Sequence, residues 1–220
     1  MKSQTMKGIA ALLVTLGLVG GMSACATPPV AQSDGPVVAF YGDSYTLGTG
    51  ASDPSRRWST IICEGRGWAE FNPSVNGLGF VNNRPSVGDG DLLSQIIERG
   101  PQIVIVTMGL NDNFSYEFAA SEIEEQISAD FERLSDGLPE ARIIAVEPFW
   151  YTDERPRSVE VIAGWVADAA SEIDADYIAG ASRWLEGRPG LMSQDGLHPD
   201  DDGYAELAER MDAELEELGL

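Results

Sequence analysis

VVAFYGDSYTLGTG, residues 37–50, is the stretch from which the rest of the chain is best read. Its opening VVAF (37–40) is a short β-branched and aromatic run, the pattern of a strand buried on both faces. The run stops at Gly42-Asp43-Ser44, and further glycines follow at 48 and 50. A lone hydroxyl on a tight turn after a buried strand stands where parallel sheets hold their ligands, at the carboxyl ends of the strands.

The same alternation continues along the chain. Apolar runs recur at QIVIVTM (102–108), RIIAVEP (142–148) and a weaker DYIA (176–179), and a poorer run around EFNPSV (70–75) fits between the first two. Helical patterns lie near 55–66, 90–99, 117–136, 157–174 and 201–218, the last opening on acids and carrying leucines at helical spacing. Continuous apolar strands separated by helices predict a three-layer α/β/α fold around a parallel sheet of about five strands. No repeat, low-complexity block or second linker interrupts residues 37–220, which are expected to form one domain.

The first 36 residues read differently. Lys2 and Lys7 precede an uncharged apolar run, Gly8–Met22, and then the small residues SACA. That is the shape of a secretory signal, and the run is short for a membrane-spanning helix. MSAC (22–25) resembles the bacterial lipobox, with Met22 where that pattern usually has Leu. The reading is a signal peptide over 1–24 with lipidation at Cys25. An ordinary cut after Ala26 is the alternative. ATPPVAQSDGP (26–36) reads as the tether. The expected address is therefore outside the cytoplasmic membrane, lipid-anchored at the envelope or, with the alternative cut, extracellular.

Composition removes several classes. Both lysines precede residue 25, so the remainder carries 12 Arg against 36 Asp and Glu, a net charge of −24. Such a surface repels nucleic acid and anionic headgroups, leaving a lipid on Cys25 as the one expected membrane contact. Cys63, in the apolar segment WSTIICEG, reads as a small buried hydrophobe. With one cysteine and one histidine in the domain, a zinc site is excluded, and neither GDGD (88–91) nor PDDDG (199–203) completes an EF-hand calcium loop. No phosphate-cradling Gly-x-x-x-x-Gly-Lys motif exists, so neither metal nor cofactor is expected.

Polar clusters follow the strands. Gly42-Asp43-Ser44 follows the first, NPSVNGLG (72–79) the weak second and Gly109-Leu110-Asn111-Asp112 the third, while SQDGLHPDDDGY with Asp195 and His198 precedes the last helix. A serine hydroxyl needs a base to take its proton, and the base needs a partner to fix its tautomer. Ser44 can be the nucleophile, His198 the base and Asp195 the orienting acid. The Ser44 N–H, an N–H of a glycine-rich turn and the Asn111 amide can donate to an oxyanion. Pro199 biases His198 toward an extended backbone, on a loop rather than in the last helix. Because attack needs a neutral imidazole, activity should fall on the acid side, where an ordinary imidazole titrates at ~6–7.

Taken in order, these residues resemble the GDSL family of serine hydrolases, also called SGNH. Its first block stands here as Gly42-Asp43-Ser44-Tyr45, with Tyr for Leu; the third is Gly109 to Asp112, and the last is Asp195 to His198. The loosest block, an Asn with a glycine five residues on, is met by Asn72 and Gly77, with Gly79 as the fallback. The resemblance implies a flavodoxin-like sheet of order 2-1-3-4-5, acyl-ester hydrolysis, and an oxyanion hole of Ser44, Gly77 and Asn111. Tyr45, Phe80, Phe114 and Trp150 are expected to line the substrate site, though they read equally well as core or loop anchors. The chain has no long lid insertion, which points to small acyl groups on a small-molecule, glycan or lipid ester. Acyl transfer by the same site, and a non-catalytic envelope binding protein, are the alternatives.

Overall fold

Five strands form where the apolar runs stand: β1 (Val37–Tyr41), β2 (Ala69–Phe71), β3 (Ile103–Val106), β4 (Arg142–Val146) and β5 (Asp176–Ile178). The computed structural model describes residues 34–88 and 91–220. The signal segment, Cys25, the tether up to residue 33, and Asp89 and Gly90 of the acidic stretch lie outside the described residues. Every strand pair is parallel and the order is β2-β1-β3-β4-β5. β2 stops at Phe71 because Pro73, two residues on, has no N–H for the ladder.

The middle strands alternate between two cores. Val38 and Phe40 of β1, Ile103 and Ile105 of β3, and Ile144 and Val146 of β4 face one cluster. Ala39 and Tyr41, Val104 and Val106, Ile143 and Ala145 face the other. Helices α2 (Trp58–Arg66) and α6 (Asp201–Glu217) fill the first cluster with Trp58, Ile62, Leu207 and Met211. On the opposite face, α3 (Leu92–Arg99), α4 (Tyr116–Gly137) and α5 (Arg157–Glu172) contribute Leu93, Ile96, Ile127, Phe131 and Val166. Burying a side chain of this size contributes roughly 1.5–3 kcal/mol, so two-sided burial is what holds the central strands in register.

Two expectations change. The turn after β1 is the start of a short helix, α1 (Ser44–Leu47), because the Asp43 side chain accepts the Tyr45 N–H and caps it. The helix near 55–66 is split: Pro54–Arg56 makes one 3₁₀ turn and α2 begins at Trp58. Cys63 is buried as expected, and burial pushes its thiol up, away from the reactive thiolate.

Candidate active site

Three strand exits and the loop before α6 surround Ser44. At the β1 exit Asp43 holds the N-terminus of α1, so Ser44 is its first helical residue. Among the described residues the N–H of Ser44 donates to no acceptor. It remains available to a ligand.

The histidine stands in a tightly organised turn. His198 Nδ1 lies 2.7 Å from Asp195 Oδ2. Asp195 Oδ1 accepts the backbone N–H groups of Leu197 (2.8 Å) and His198 (2.9 Å) and the Ser193 hydroxyl (2.8 Å). The His198 ring and backbone donors, joined by the Leu197 and Ser193 donors, hold the Asp195 carboxyl well below the usual carboxylate range. An ionised Asp195 only accepts, so Nδ1 carries a proton, and in the neutral form of the ring the lone pair is on Nε2.

This turn is tied to the β1 exit. The Tyr45 hydroxyl donates to the Leu197 carbonyl at 2.7 Å, and the Tyr45 and His198 ring centroids are 6.0 Å apart. Tyr204 Oη donates to the Thr49 carbonyl at 2.7 Å, and Ser52 donates its N–H and hydroxyl to Asp201. Gly50 is required at the contact: its φ is +98°, and a Cβ there would stand 2.4 Å from the Pro199 carbonyl oxygen. The Ser44 and His198 segments are thus held side by side, although no hydrogen bond joins the two side chains among the described residues.

The β2 and β3 exits meet across Asn111 and Asp112. Asn111 Nδ2 donates to Asp43 Oδ2 and to the Leu78 carbonyl, both at 2.9 Å. Asp112, fully buried, accepts the N–H groups of Phe80 (2.7 Å), Val81 (2.9 Å) and Asn82 (3.1 Å). A Cβ on Gly79 would stand 2.5 Å from that carboxylate, so the loop closes over it only with glycine there. The Gly79 N–H donates to the Asn82 carbonyl at 2.8 Å, whereas that of Gly77 has no acceptor among the described residues. Of the two glycines Gly77 is the one with a donor to offer. Asn72 supports this from behind, donating to the Thr46 carbonyl at 2.7 Å.

Burial raises both acids here. Asp43 is pushed up to about 7 by burial, with Asp112 adding to the rise, and Asp112 is itself raised by burial against its three N–H donors.

The expected substrate aromatics need correcting. Phe80 is fully buried among the side chains between the sheet and α4, edge-on to Tyr41. Tyr45 is 1% exposed and stacks on Phe149, and Trp150 is buried with its Nε1 donating to Thr152 and to the Glu154 carbonyl. These three are anchors, each held by the protein's own partners: Tyr45 by Phe149, Phe80 by Tyr41 and Trp150 by the loop after β4. Phe114 alone of the four is exposed, and Phe118 stands out with it.

Sequence reasoning missed the support beneath the site. The Arg84 guanidinium grips buried Asp130 with two hydrogen bonds (2.6 and 2.8 Å), and Tyr41 Oη donates to the same carboxylate at 2.6 Å. No motif spacing joins residues 46 positions apart. Among the described residues no His/Cys/Asp/Glu group could hold a metal ion, and no helix is long and apolar enough to cross a membrane.

Residues 40–206 match the profile of the GDSL-like Lipase/Acylhydrolase family. The GDSL lipase Rv0518 of Mycobacterium tuberculosis is 26% identical over 185 residues, covering 79% of each chain. Among solved structures, the psychrotrophic esterase EstA of a Pseudoalteromonas species is similar with a TM-score of 0.64 at 15% identity, over 83% of this chain and 98% of its own. A variant of Axe2, an acetyl-xylooligosaccharide esterase from Geobacillus, gives 0.63 at 18% identity, over 86% and 96%. At these identities the structural likeness establishes the fold.

Proposed function

The chain belongs to the GDSL-like lipase/acylhydrolase family and is a carboxylic ester hydrolase; from that premise we propose that Ser44, His198 and Asp195 form its catalytic triad and that it cleaves short-chain acyl esters. The observation that carries the triad is the 2.7 Å His198–Asp195 pair, on a loop bonded through Tyr45 to the Ser44 helix.

The steps follow from that arrangement. Asp195 accepts Nδ1–H, so the Nε2 lone pair takes the Ser44 proton as Oγ attacks the ester carbonyl. The C=O π electrons move to oxygen, and the resulting oxyanion is met by the N–H groups of Ser44 and Gly77 and by the Asn111 amide. Collapse expels the alcohol, which takes the proton from Nε2. Water, deprotonated by the same nitrogen, then attacks the acyl-enzyme and releases the acid, returning the hydrogen to Oγ.

Short acyl groups on a glycan are the preferred substrate. The chain has no long insertion that would cover an acyl chain, and the net charge of −24 on residues 25–220 disfavours anionic ones. Axe2, an acetyl-xylooligosaccharide esterase by name, shares the fold. The expected result with p-nitrophenyl esters is kcat/KM falling from acetyl through butyryl to octanoyl; a clear octanoyl preference would overturn the short-chain reading. Product analysis with an added sugar acceptor separates hydrolysis from acyl transfer.

The proposal extends to location: an envelope protein held by a lipid on Cys25. Cys25→Ser should move the protein from the membrane fraction to the soluble fraction or leave its precursor uncut. Wild-type-like membrane retention of that variant after it has been cut to mature size would exclude the lipid anchor.

A further inference from the structure

Asp43 is buried, and its two carboxylate oxygens both serve the site. Oδ1 accepts the Tyr45 N–H at 2.9 Å, and Oδ2 accepts from Asn111 Nδ2 at 2.9 Å. The second hydrogen of the Asn111 amide goes to the Leu78 carbonyl. One amide therefore joins three strand exits: Asp43 after β1, Leu78 after β2 and Asn111 after β3.

An amide with both hydrogens engaged cannot donate to an oxyanion without releasing one. Its two present acceptors are unequal. A carboxylate holds a hydrogen bond about twice as strongly as a neutral carbonyl, and a developing oxyanion outcompetes the neutral carbonyl for the same reason. The Leu78 bond is the one that gives way. The Asp43 bond stays.

We propose that Asp43, beyond capping α1, is a positioning residue for the oxyanion hole: its carboxylate keeps one Asn111 amide hydrogen so that the other is aimed at the oxyanion. This rests on the serine-hydrolase reading above. The capping role and the positioning role separate chemically. In Asp43→Asn the side-chain oxygen can still accept the Tyr45 N–H, since Asn caps helices as well as Asp. Its NH₂ then faces the Asn111 NH₂, donor against donor, and the hold on Asn111 is lost. Asp43→Ser likewise caps but is too short to reach Asn111.

The experiment is a double-mutant cycle on p-nitrophenyl acetate, using the parent, Asp43→Asn, Asn111→Ala and the double variant, with thermal unfolding of each. Expected is a roughly tenfold loss of kcat in Asp43→Asn with little change in KM, and a larger loss, on the order of 10²-fold, in Asn111→Ala. The double variant should be no slower than Asn111→Ala alone, because Asp43 acts through Asn111. An unchanged kcat in Asp43→Asn, or a further tenfold loss in the double variant, would overturn the proposal. If Asp43→Asn fails to fold, the cycle is run with Asp43→Ser, and the same outcomes support or overturn the proposal. Ser44→Ala, run beside them, reports on the underlying reading: retained turnover there sinks the triad itself, whereas its loss leaves Asp43 to be judged by the cycle.

Discussion

Ser44→Ala and His198→Ala should each lower kcat/KM for p-nitrophenyl acetate by about 10³-fold or more, while the unfolding transition stays within about a degree or two of the parent. The size follows from the way the residues act. Without Oγ there is no acyl-enzyme, and without Nε2 nothing takes the hydroxyl proton, so removing both should cost no more than removing either. Neither side chain belongs to the two cores of the sheet, and stability should be insensitive to both. Equal turnover in parent and variants would remove the triad. The pH profile adds a second check with a defined sign. As pH falls the imidazole gains a proton and cannot act as base, so the rate must fall. Asp195 does not cause that limb, since its carboxyl is held well below the usual carboxylate range and stays ionised. Asp43, pushed up to about 7 by burial and by Asp112, takes a proton in the same direction and weakens its grip on Asn111. The limb should therefore persist in Asp43→Asn, which removes the Asp43 contribution. A rate flat to pH 4 in both proteins excludes His198 as the base.

The parts of this molecule written in local pattern were legible, and those made by distant polar contacts were not. The VVAF, QIVIV and RIIAV runs mark the three central strands because each is buried on both faces, which demands unbroken apolar sequence. The GDS and DGLHP segments show themselves because a capped helix start and a histidine-bearing turn are built from neighbours in sequence: Asp43 reaches Tyr45, and Asp195 reaches His198. The α1 helix stayed hidden since four residues carry no periodicity. The aromatics misled for another reason. Residue type says that Tyr45, Phe80 and Trp150 want burial, but not whether a ligand or the protein provides it, and here Phe149, Tyr41 and the loop after β4 do. Asp112 showed in sequence only as the end of the polar cluster after β3, yet it is the carboxylate around which residues 80–82 fold. Its partners lie some thirty positions away, where a sequence read alone has no means of pairing them.

Arg84→Ala should destabilise the fold by about 3 kcal/mol, the lower end of the roughly 3–5 kcal/mol for breaking a buried ion pair. Asp130 is 1% exposed, so losing the guanidinium strands a carboxylate away from water. The lower end applies because Tyr41 Oη (2.6 Å) and Gln126 Nε2 (2.9 Å) still donate to it. Urea unfolding at pH 7 measures the loss, and a change under about 1 kcal/mol would mean that Asp130 finds water when Arg84 leaves. Replacing the whole group tests the cause. Arg84→Met with Asp130→Leu and Tyr41→Phe removes both donors and their acceptor together, and such apolar replacements are often neutral or stabilising. The triple variant should recover most of the stability that Arg84→Ala loses. Activity should not follow in step. Arg84 also donates to the Phe80 carbonyl at 3.0 Å, in the loop that carries Gly77, so the guanidinium helps to hold the loop of the proposed oxyanion donor. A stable triple variant with a lowered kcat would show that the pair is kept for the position of the Gly77 loop; a stable variant with parental kcat would show that Asp112 alone suffices to hold it.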